Sequence, residues 1–225
     1  MKKAPLFIII MSFLLAACDK DDYQITDNDG NVYQGVKIGN QIWMTENLRV
    51  TSYPDGSAIP NVEGNTAWDE LEIDGEAYCW YDNSSSNEDV YGGLYTWAAA
   101  TNGGASTQGV CPDGWHLPSE EEWKELVIYL GGYSEAGYYL KEHGTDHWSG
   151  INPGASNSSG FTALPGGLRN IAGSFSAMGA LADFWSSTES SPESAYRISL
   201  VAGDGDVNIS GTAKESGFSV RCLKD

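Results

Sequence analysis

Basic side chains are scarce in this sequence. Its 225 residues include 12 Lys and Arg against 31 Asp and Glu, so the formal net charge is −19. Proteins that bind nucleic acid through a basic patch need Lys and Arg to neutralise phosphates, and the composition therefore argues against a nucleic-acid partner. The acidity favours solubility; it is compatible with calcium binding but does not require it.

Long hydrophobic runs are also missing. The N-terminal apolar run covers residues 6–15 and is interrupted only by Ser12, which is about half of the ~20 residues that a membrane-spanning helix needs. Two lysines precede this run, and two alanines follow it directly before Cys18. This order is typical of a secretory signal peptide, and we predict one over residues 1–17.

The residues around Cys18 predict a lipid anchor. Residues 15–18, Leu-Ala-Ala-Cys, resemble the bacterial lipobox, in which the cysteine is acylated; secretion without a lipid is the alternative. Two or more acyl chains anchor a protein stably, because each buried CH₂ contributes ~0.8 kcal/mol. We therefore expect an outer-membrane lipoprotein on the cell surface, with the lipid on Cys18 as its membrane contact.

An acidic tether is predicted over residues 18–24. Its residues 19–22, Asp-Lys-Asp-Asp, are hydrophilic and would hold the globular part away from the bilayer. They also resemble the surface-export signal of some bacterial lipoproteins. A plain solvated tether explains them equally well, and both interpretations stay open.

Three cysteines remain besides Cys18. Export implies an oxidising compartment, where a disulfide is expected, but three cysteines cannot all pair within one chain. We predict a bridge between Cys111, which precedes a Pro-Asp-Gly turn, and Cys222, which stands near the C-terminus. Cys79 lies in an aromatic-rich segment without a nearby basic residue, and we expect it to be a buried free thiol.

The residue pattern predicts an α+β fold. A β-hairpin is expected over residues 32–44, and a strand over 76–81. Ser119 and Glu122 form a capping box for a helix whose apolar face is Trp123, Leu126, Val127 and Leu130. A second short helix is predicted over 135–142, capped by Ser134. After a long loop, five antiparallel strands are predicted over residues 161–164, 182–187, 195–201, 206–210 and 218–222.

Several motifs carry a resemblance to a known family. They lie at residues 27–33, 36–48, 79–81, 93–97, 111–123, 185–189 and 217–222. Together they resemble the Fibrobacter succinogenes major paralogous domain, over residues 25–225. The resemblance implies a C-type-lectin-like fold, related to the formylglycine-generating enzymes, with antiparallel sheets, one or two central helices and long loops. It implies no established biochemical activity.

Catalytic and metal sites are not predicted. The formylglycine-generating enzymes use a closely spaced cysteine pair, which this sequence lacks. His116 is expected to be a structural residue, and His143 and His147 have the spacing of a helical zinc chelate but stand in a loop that contains Gly144. We therefore expect no enzyme activity, no metal and no cofactor.

The segment from Asp27 to Asn31 begins like a calcium-binding EF-hand loop. However, Gly30 stands too early in it, and Ile38 replaces the glutamate that would close the loop. A hairpin turn is the favoured interpretation. The triplets of calcium-dependent lectins are also missing, since Trp185 is followed by Ser186. Calcium-mediated sugar binding is therefore not predicted.

Aromatic side chains in loops are the candidate ligand-binding residues, because exposed Trp and Tyr rings stack on sugars. They are Tyr53, Trp68, Tyr91, Tyr133 and Trp148. The tryptophans within the family motifs are assigned to the core instead. They are Trp43, Trp80, Trp97, Trp115, Trp123 and Trp185.

The function predicted from these features is that of a lipid-anchored envelope protein with a non-catalytic, lectin-like binding or adhesion module. Its partner would be a polysaccharide, a glycoprotein or a surface protein. One alternative is a structural surface or matrix component without a discrete ligand. The other is an enzyme with an unrecognised site, which would need His116 or His147 gathered with carboxylates in a polar cleft.

Overall fold

The computed structural model describes residues 23–104, 108–150 and 152–225. The predicted signal peptide, Cys18 and residues 18–22 of the predicted tether lie outside the described residues. The tether prediction is wrong at its end, because Tyr23 and Gln24 belong to the first strand, where they pair with Gly35 and Gln34.

A five-stranded antiparallel sheet joins the two ends of the described chain. Its strands are β1 (Tyr23–Thr26), β2 (Val32–Ile38), β3 (Gln41–Met44), β6 (Trp115–His116) and β12 (Leu223–Lys224), in the order β1-β2-β3-β12-β6. Leu223 pairs with Trp43 on one side and with His116 on the other. The C-terminal strand therefore lies between the predicted hairpin, which is confirmed, and β6.

A second antiparallel sheet is built from three consecutive long strands. They are β9 (Leu181–Ser191), β10 (Ser194–Val201) and β11 (Val207–Ala213). These strands confirm the predictions over 182–187, 195–201 and 206–210. Two small ladders pair β4 (Tyr78–Cys79) with β5 (Leu94–Tyr95), and β7 (Leu168–Arg169) with β8 (Phe175–Ser176).

Five α-helices complete the fold: α1 (Asn65–Asp69), α2 (Glu88–Tyr91), α3 (Trp97–Thr101), α4 (Glu120–Tyr129) and α5 (Ala136–Leu140). Helix α4 begins at the predicted capping box, in which Ser119 and Glu122 satisfy each other's backbone N–H groups. Its buried Trp123 lies 4.5 Å from the Trp43 ring of β3 and 5.7 Å from the Phe184 ring of β9. Helix α4 thus packs between the two sheets.

The prediction for the second helix needs correction. Helix α5 covers Ala136–Leu140 and is shorter than the predicted 135–142. Its N-cap is Glu135, whose side chain makes no capping hydrogen bond, so Ser134 is not the cap. The backbone N–H of Gly137 instead donates to the carbonyl of Gly205 in a neighbouring loop, so a tertiary contact replaces the side-chain cap.

Two predicted strands, over 161–164 and 218–222, are irregular segments arranged around the buried Arg221. Its guanidinium donates to the carbonyls of Phe161, Thr162 and Met44 at 2.6, 2.8 and 3.0 Å, and to Asn47 Oδ1 at 2.7 Å. Arg221 thus engages two carbonyls of the first segment, while carbonyls of the second accept from the separate backbone N–H groups of Tyr95, Trp185 and Leu48. Only isolated bridges are formed in either segment. Burial lowers the pKa of Arg221 to about 9.

The core confirms the assignments made for the cysteines. Cys111 and Cys222 are bridged and fully buried, and Cys79 is a buried free thiol. The motif tryptophans also belong to the core, with Trp97 partly buried and the others buried: Trp43, Trp80, Trp115, Trp123 and Trp185. The arrangement of mixed helices and antiparallel sheets is α+β. None of the helices among the described residues has the length and apolar character that crossing a bilayer requires.

Candidate functional site

The loop aromatics predicted to form a binding face are mostly part of the core. Tyr53, Trp68 and Trp148 are at most 2% exposed and belong to three different apolar clusters, so the prediction is wrong for these three. Tyr53 and Trp148 lie in irregular segments and Trp68 lies in the short helix α1, and all three rings are packed into the core. Tyr91 is half-buried and Tyr133 is 44% exposed; these two keep some contact with solvent.

His116 lies between two carboxylates at the start of α4. Its Nε2 is 2.9 Å from Glu122 Oε1, and its Nδ1 is 2.7 Å from Asp225 Oδ1. Hydrogen bonding to Glu122, and then to Asp225, raises the pKa of His116 despite its partial burial. Burial alone would raise the pKa of Glu122. Hydrogen bonds from His116 and Ser119 have a larger, opposite effect and lower that pKa to about 2.

A small pocket of about 290 Å³ opens beside this cluster, lined by His116, Leu117, Ser119, Glu122 and Ser187. The hydroxyl of Ser119 donates to Glu122 Oε2 at 2.8 Å. Nucleophilic catalysis by a serine needs a base in hydrogen-bond contact with the hydroxyl. Here both nitrogens of His116 are bonded to carboxylates, so the cluster has the geometry of an ion-pair network that fixes the C-terminus to α4.

His147 forms a second contact with a carboxylate. Its Nδ1 lies 2.8 Å from Glu142 Oε1, and its ring meets the edge of Tyr91 at 5.8 Å between centroids. A carboxylate that holds an imidazole in this way can orient a general base. Within the described part of the chain, however, no serine or cysteine side chain is hydrogen-bonded to His147. His143 and His147 are not in a helix, so the geometry of an i, i+4 chelate is not formed.

The acidic turn between β1 and β2 uses its carboxylates internally. Asp27 accepts hydrogen bonds from the backbone of Asp29 and Asn31 and from the hydroxyl of Tyr33. Asp29 accepts from the hydroxyl of Thr51 at 2.9 Å. The favoured hairpin turn is confirmed. No group of three or more His, Cys, Asp or Glu side chains suited to a metal ion is found among the described residues.

Cys79 is a poor candidate for a nucleophile. Burial raises the pKa of its thiol to about 11, and the nearby Arg169 guanidinium offsets only part of this. A reactive cysteine needs a substantial thiolate population near neutral pH and access to solvent. Cys79 is fully buried, so it lacks both the thiolate population and the access to solvent.

A larger groove lies between the β2–β3 turn and the outer face of α4. It holds about 580 Å³, within the range of ligand sites. One wall is formed by Ile38, Gly39, Asn40 and Gln41, and the other by Glu121, Glu122, Lys124, Glu125, Ile128 and Tyr129. We call this feature the α4 groove. It shares Glu122 with the His116 pocket, so the two openings are adjacent.

The two most exposed large apolar side chains among the described residues line the α4 groove. Ile128 is 66% exposed and Tyr129 is 64% exposed, although large apolar side chains in a helix of this kind usually face the core. The Tyr129 ring lies against the turn at Gly39, where a Cβ would come within 3.0 Å of it. Gly39 also has φ +62°, a conformation that favours glycine. The turn therefore both supports Tyr129 and closes one side of the groove.

The polar groups of the α4 groove are mostly engaged with each other. Gln41 donates to the carbonyl of Glu122 at 3.0 Å and accepts from the indole of Trp43 at 3.1 Å. Lys124 is paired with Glu120 and with Glu121, at 2.9 and 2.8 Å. The Gln41–Glu122 bond links the two groove walls before any ligand binds, which reduces the entropy cost of binding.

Sequence reasoning missed the α4 groove, although a signal was present. Ile128 and Tyr129 fall outside the apolar stripe of Trp123, Leu126 and Val127, so the helical pattern itself places them on the solvent side. Recognising the groove also required the position of the β2–β3 turn. That position is set by tertiary packing and not by local sequence.

Comparison with known families finds a match over most of the chain. The family model described as the Fibrobacter succinogenes major domain matches residues 36–224, most of the chain. This range includes the β2–β3 turn, all of α4 and both bridged cysteines. Comparisons with curated proteins and with solved structures find no match. The chain belongs to the Fibrobacter succinogenes major domain family.

Proposed function

We propose that this protein is a lipid-anchored cell-envelope protein that displays a non-catalytic, lectin-like binding module, with the α4 groove as its binding site. Anchoring is supported by the signal-peptide pattern of residues 1–17 and by the lipobox-like residues that end at Cys18. A chain held at a membrane in this way would meet partners outside the cell. Polysaccharides, glycoproteins and surface proteins are the partner classes that this location offers.

The lectin-like fold is supported by how the chain ends meet. In lectin-like domains the terminal strands are neighbours and central helices pack on a sheet. In this protein β12 pairs with β3 from the N-terminal hairpin, and the Cys111–Cys222 bridge fixes the segment before β12 to the segment before β6. Helix α4 packs on both sheets through Trp123.

The observation that carries the binding function is the exposed apolar pair in the α4 groove. Ile128 and Tyr129 leave most of their surface in water, which costs hydrophobic free energy unless a partner covers them. They line a concave feature with fixed walls, which distinguishes them from scattered surface residues.

A binding screen tests the proposal. The full-length protein in zwitterionic nanodiscs is offered to a glycan array and used in pull-downs from envelope extracts, with a Tyr129→Ala variant beside the wild type. Ile171→Ala is the control, because Ile171 is an exposed apolar side chain that lies outside the groove. We expect ligands that the wild type and Ile171→Ala retain and Tyr129→Ala loses. Folded protein that retains no ligand in a Tyr129-dependent way would contradict the proposal.

Surface display is tested separately by protease accessibility on intact cells. The wild type is expected to be cleaved by an external protease, whereas a variant lacking residues 19–22 is expected to be less accessible if these residues direct export. Protection of the wild type on intact cells would rule out display on the outer surface.

A further inference from the structure

The charge of the α4 groove deepens the proposed function, on which this inference rests. We propose that the groove binds a basic segment of a partner protein, whose lysine or arginine stem lies on Ile128 and Tyr129 and whose cationic head pairs with Glu125. The ligand class is therefore a cationic peptide segment with adjacent apolar side chains.

Glu125 is the uncompensated charge in the groove. Three glutamates line it, but Glu121 is paired with Lys124 at 2.8 Å and Glu122 with His116 at 2.9 Å. Glu125 is exposed and has no ion-pair partner among the described residues. The chain carries a formal charge of −19, so its overall field attracts cationic partners and speeds their approach.

The apolar neighbours of Glu125 match the shape of a long basic side chain. Ile128 and Tyr129 stand three and four residues after Glu125 on one helix, a spacing that makes side chains neighbours on its surface. Lysine and arginine place their methylene stems on apolar surface while the charged head stays near water. A cation also gains from contact with the face of a tyrosine ring.

The same groove is poorly suited to a sugar. A sugar ring presents many hydroxyl groups, and each one that loses water without a new hydrogen bond reduces affinity. The amide of Gln41 already donates to the carbonyl of Glu122 and accepts from the indole of Trp43. Lys124 and Glu122 are engaged in ion pairs. Asn40, Glu125 and the hydroxyl of Tyr129 are left as the main polar groups available to a ligand, and Ile38 and Ile128 are aliphatic surfaces with no polar edge.

The test uses the full-length protein in phosphatidylcholine nanodiscs, with empty nanodiscs as background. The probe is a fluorescent peptide that alternates lysine and tyrosine, and its matched partner has glutamine in place of lysine. The variants are Glu125→Gln and Tyr129→Ala. Their controls are Glu193→Gln and Ile171→Ala, which alter an exposed carboxylate and an exposed apolar side chain outside the groove. A neutral oligosaccharide of glucose is used as competitor.

We expect the lysine peptide to bind and the glutamine peptide to bind at least fivefold more weakly. Glu125→Gln should weaken binding about fivefold, the size expected of an exposed ion pair, and the weakening should fade as salt screens the charges. Tyr129→Ala should weaken binding of both peptides, and the two control variants should bind like the wild type.

Equal binding of the two peptides, or an unchanged affinity in Glu125→Gln, would overturn the cationic-peptide inference. The inference would also be overturned if the neutral oligosaccharide bound in preference to the lysine peptide and this binding depended on Tyr129. That result would still support the proposed binding module. The module itself fails only if neither peptides, glycans nor envelope extracts yield a ligand that depends on Tyr129. The two failures are therefore distinguishable.

Discussion

Removal of the Cys111–Cys222 bridge, by the double substitution Cys111→Ala and Cys222→Ala, is expected to lower the free energy of unfolding substantially. The bridge closes a loop with a sequence separation of 111 residues. The chain-entropy model, applied to a loop of that length, gives a stabilisation of about 4.8 kcal/mol, as an upper figure. Both cysteines are fully buried, so the loss of their sulfur atoms adds a packing cost.

Cys79→Ala separates the packing cost from the effect of the bridge. Cys79 is a fully buried thiol without a disulfide, so its replacement removes one buried sulfur atom and leaves chain connectivity unchanged. We expect this control to cost about 1 kcal/mol, within the range of small core truncations.

The assay is guanidinium unfolding followed by tryptophan fluorescence, with the slope of the transition compared between variants. The double variant should unfold at a much lower denaturant concentration than Cys79→Ala, and reducing agent should shift the wild type towards the double variant. A double variant no less stable than Cys79→Ala, under oxidising conditions, would refute the reasoning that the bridge closes the fold.

Three further predictions concern stability. His116→Gln should lower the free energy of unfolding more at about pH 5.5 than at about pH 9. The pKa of His116 is raised in the folded state, so its ion pairs stabilise the fold below the unfolded-state pKa, and this stability is lost as the pH rises through the folded-state pKa. An equal loss at both pH values, in thermal melts, would contradict the ion-pair network. Arg221→Met should cost more than ~3 kcal/mol in chemical unfolding, because the carbonyls it bonds are left buried without donors; a loss below ~1 kcal/mol would contradict this role. Ser119→Ala should cost about 1 kcal/mol through loss of the α4 cap, whereas Ser134→Ala, which removes no cap, should cost much less in the same assay.

Local signals predicted part of the fold well. The capping box at Ser119 and the β2–β3 hairpin depend on contacts within a few residues, so the sequence pattern is sufficient to identify them. The Cys111–Cys222 pairing was predicted from chemistry and position, since few cysteines compete for it.

Predictions that depended on tertiary packing were less successful. Trp68 lies in the short helix α1 and Trp148 in an irregular segment, yet both are buried, with their indole groups donating to the carbonyls of Glu215 and Ala163. A loop position therefore did not imply exposure. The segment 161–164 has an apolar pattern, but the distant Arg221 takes two of its carbonyls. The α4 groove likewise depends on two elements far apart in sequence.

Hydrogen–deuterium exchange with a bound ligand tests the central claim most directly. The full-length protein is compared with and without a ligand recovered in the binding screen, and protection is read for each peptide of the described chain. If the α4 groove is the binding site, protection should appear at residues 38–41 and 121–129. Protection elsewhere, for example along β11 at Val207–Ala213, with both groove segments unchanged, would contradict the account.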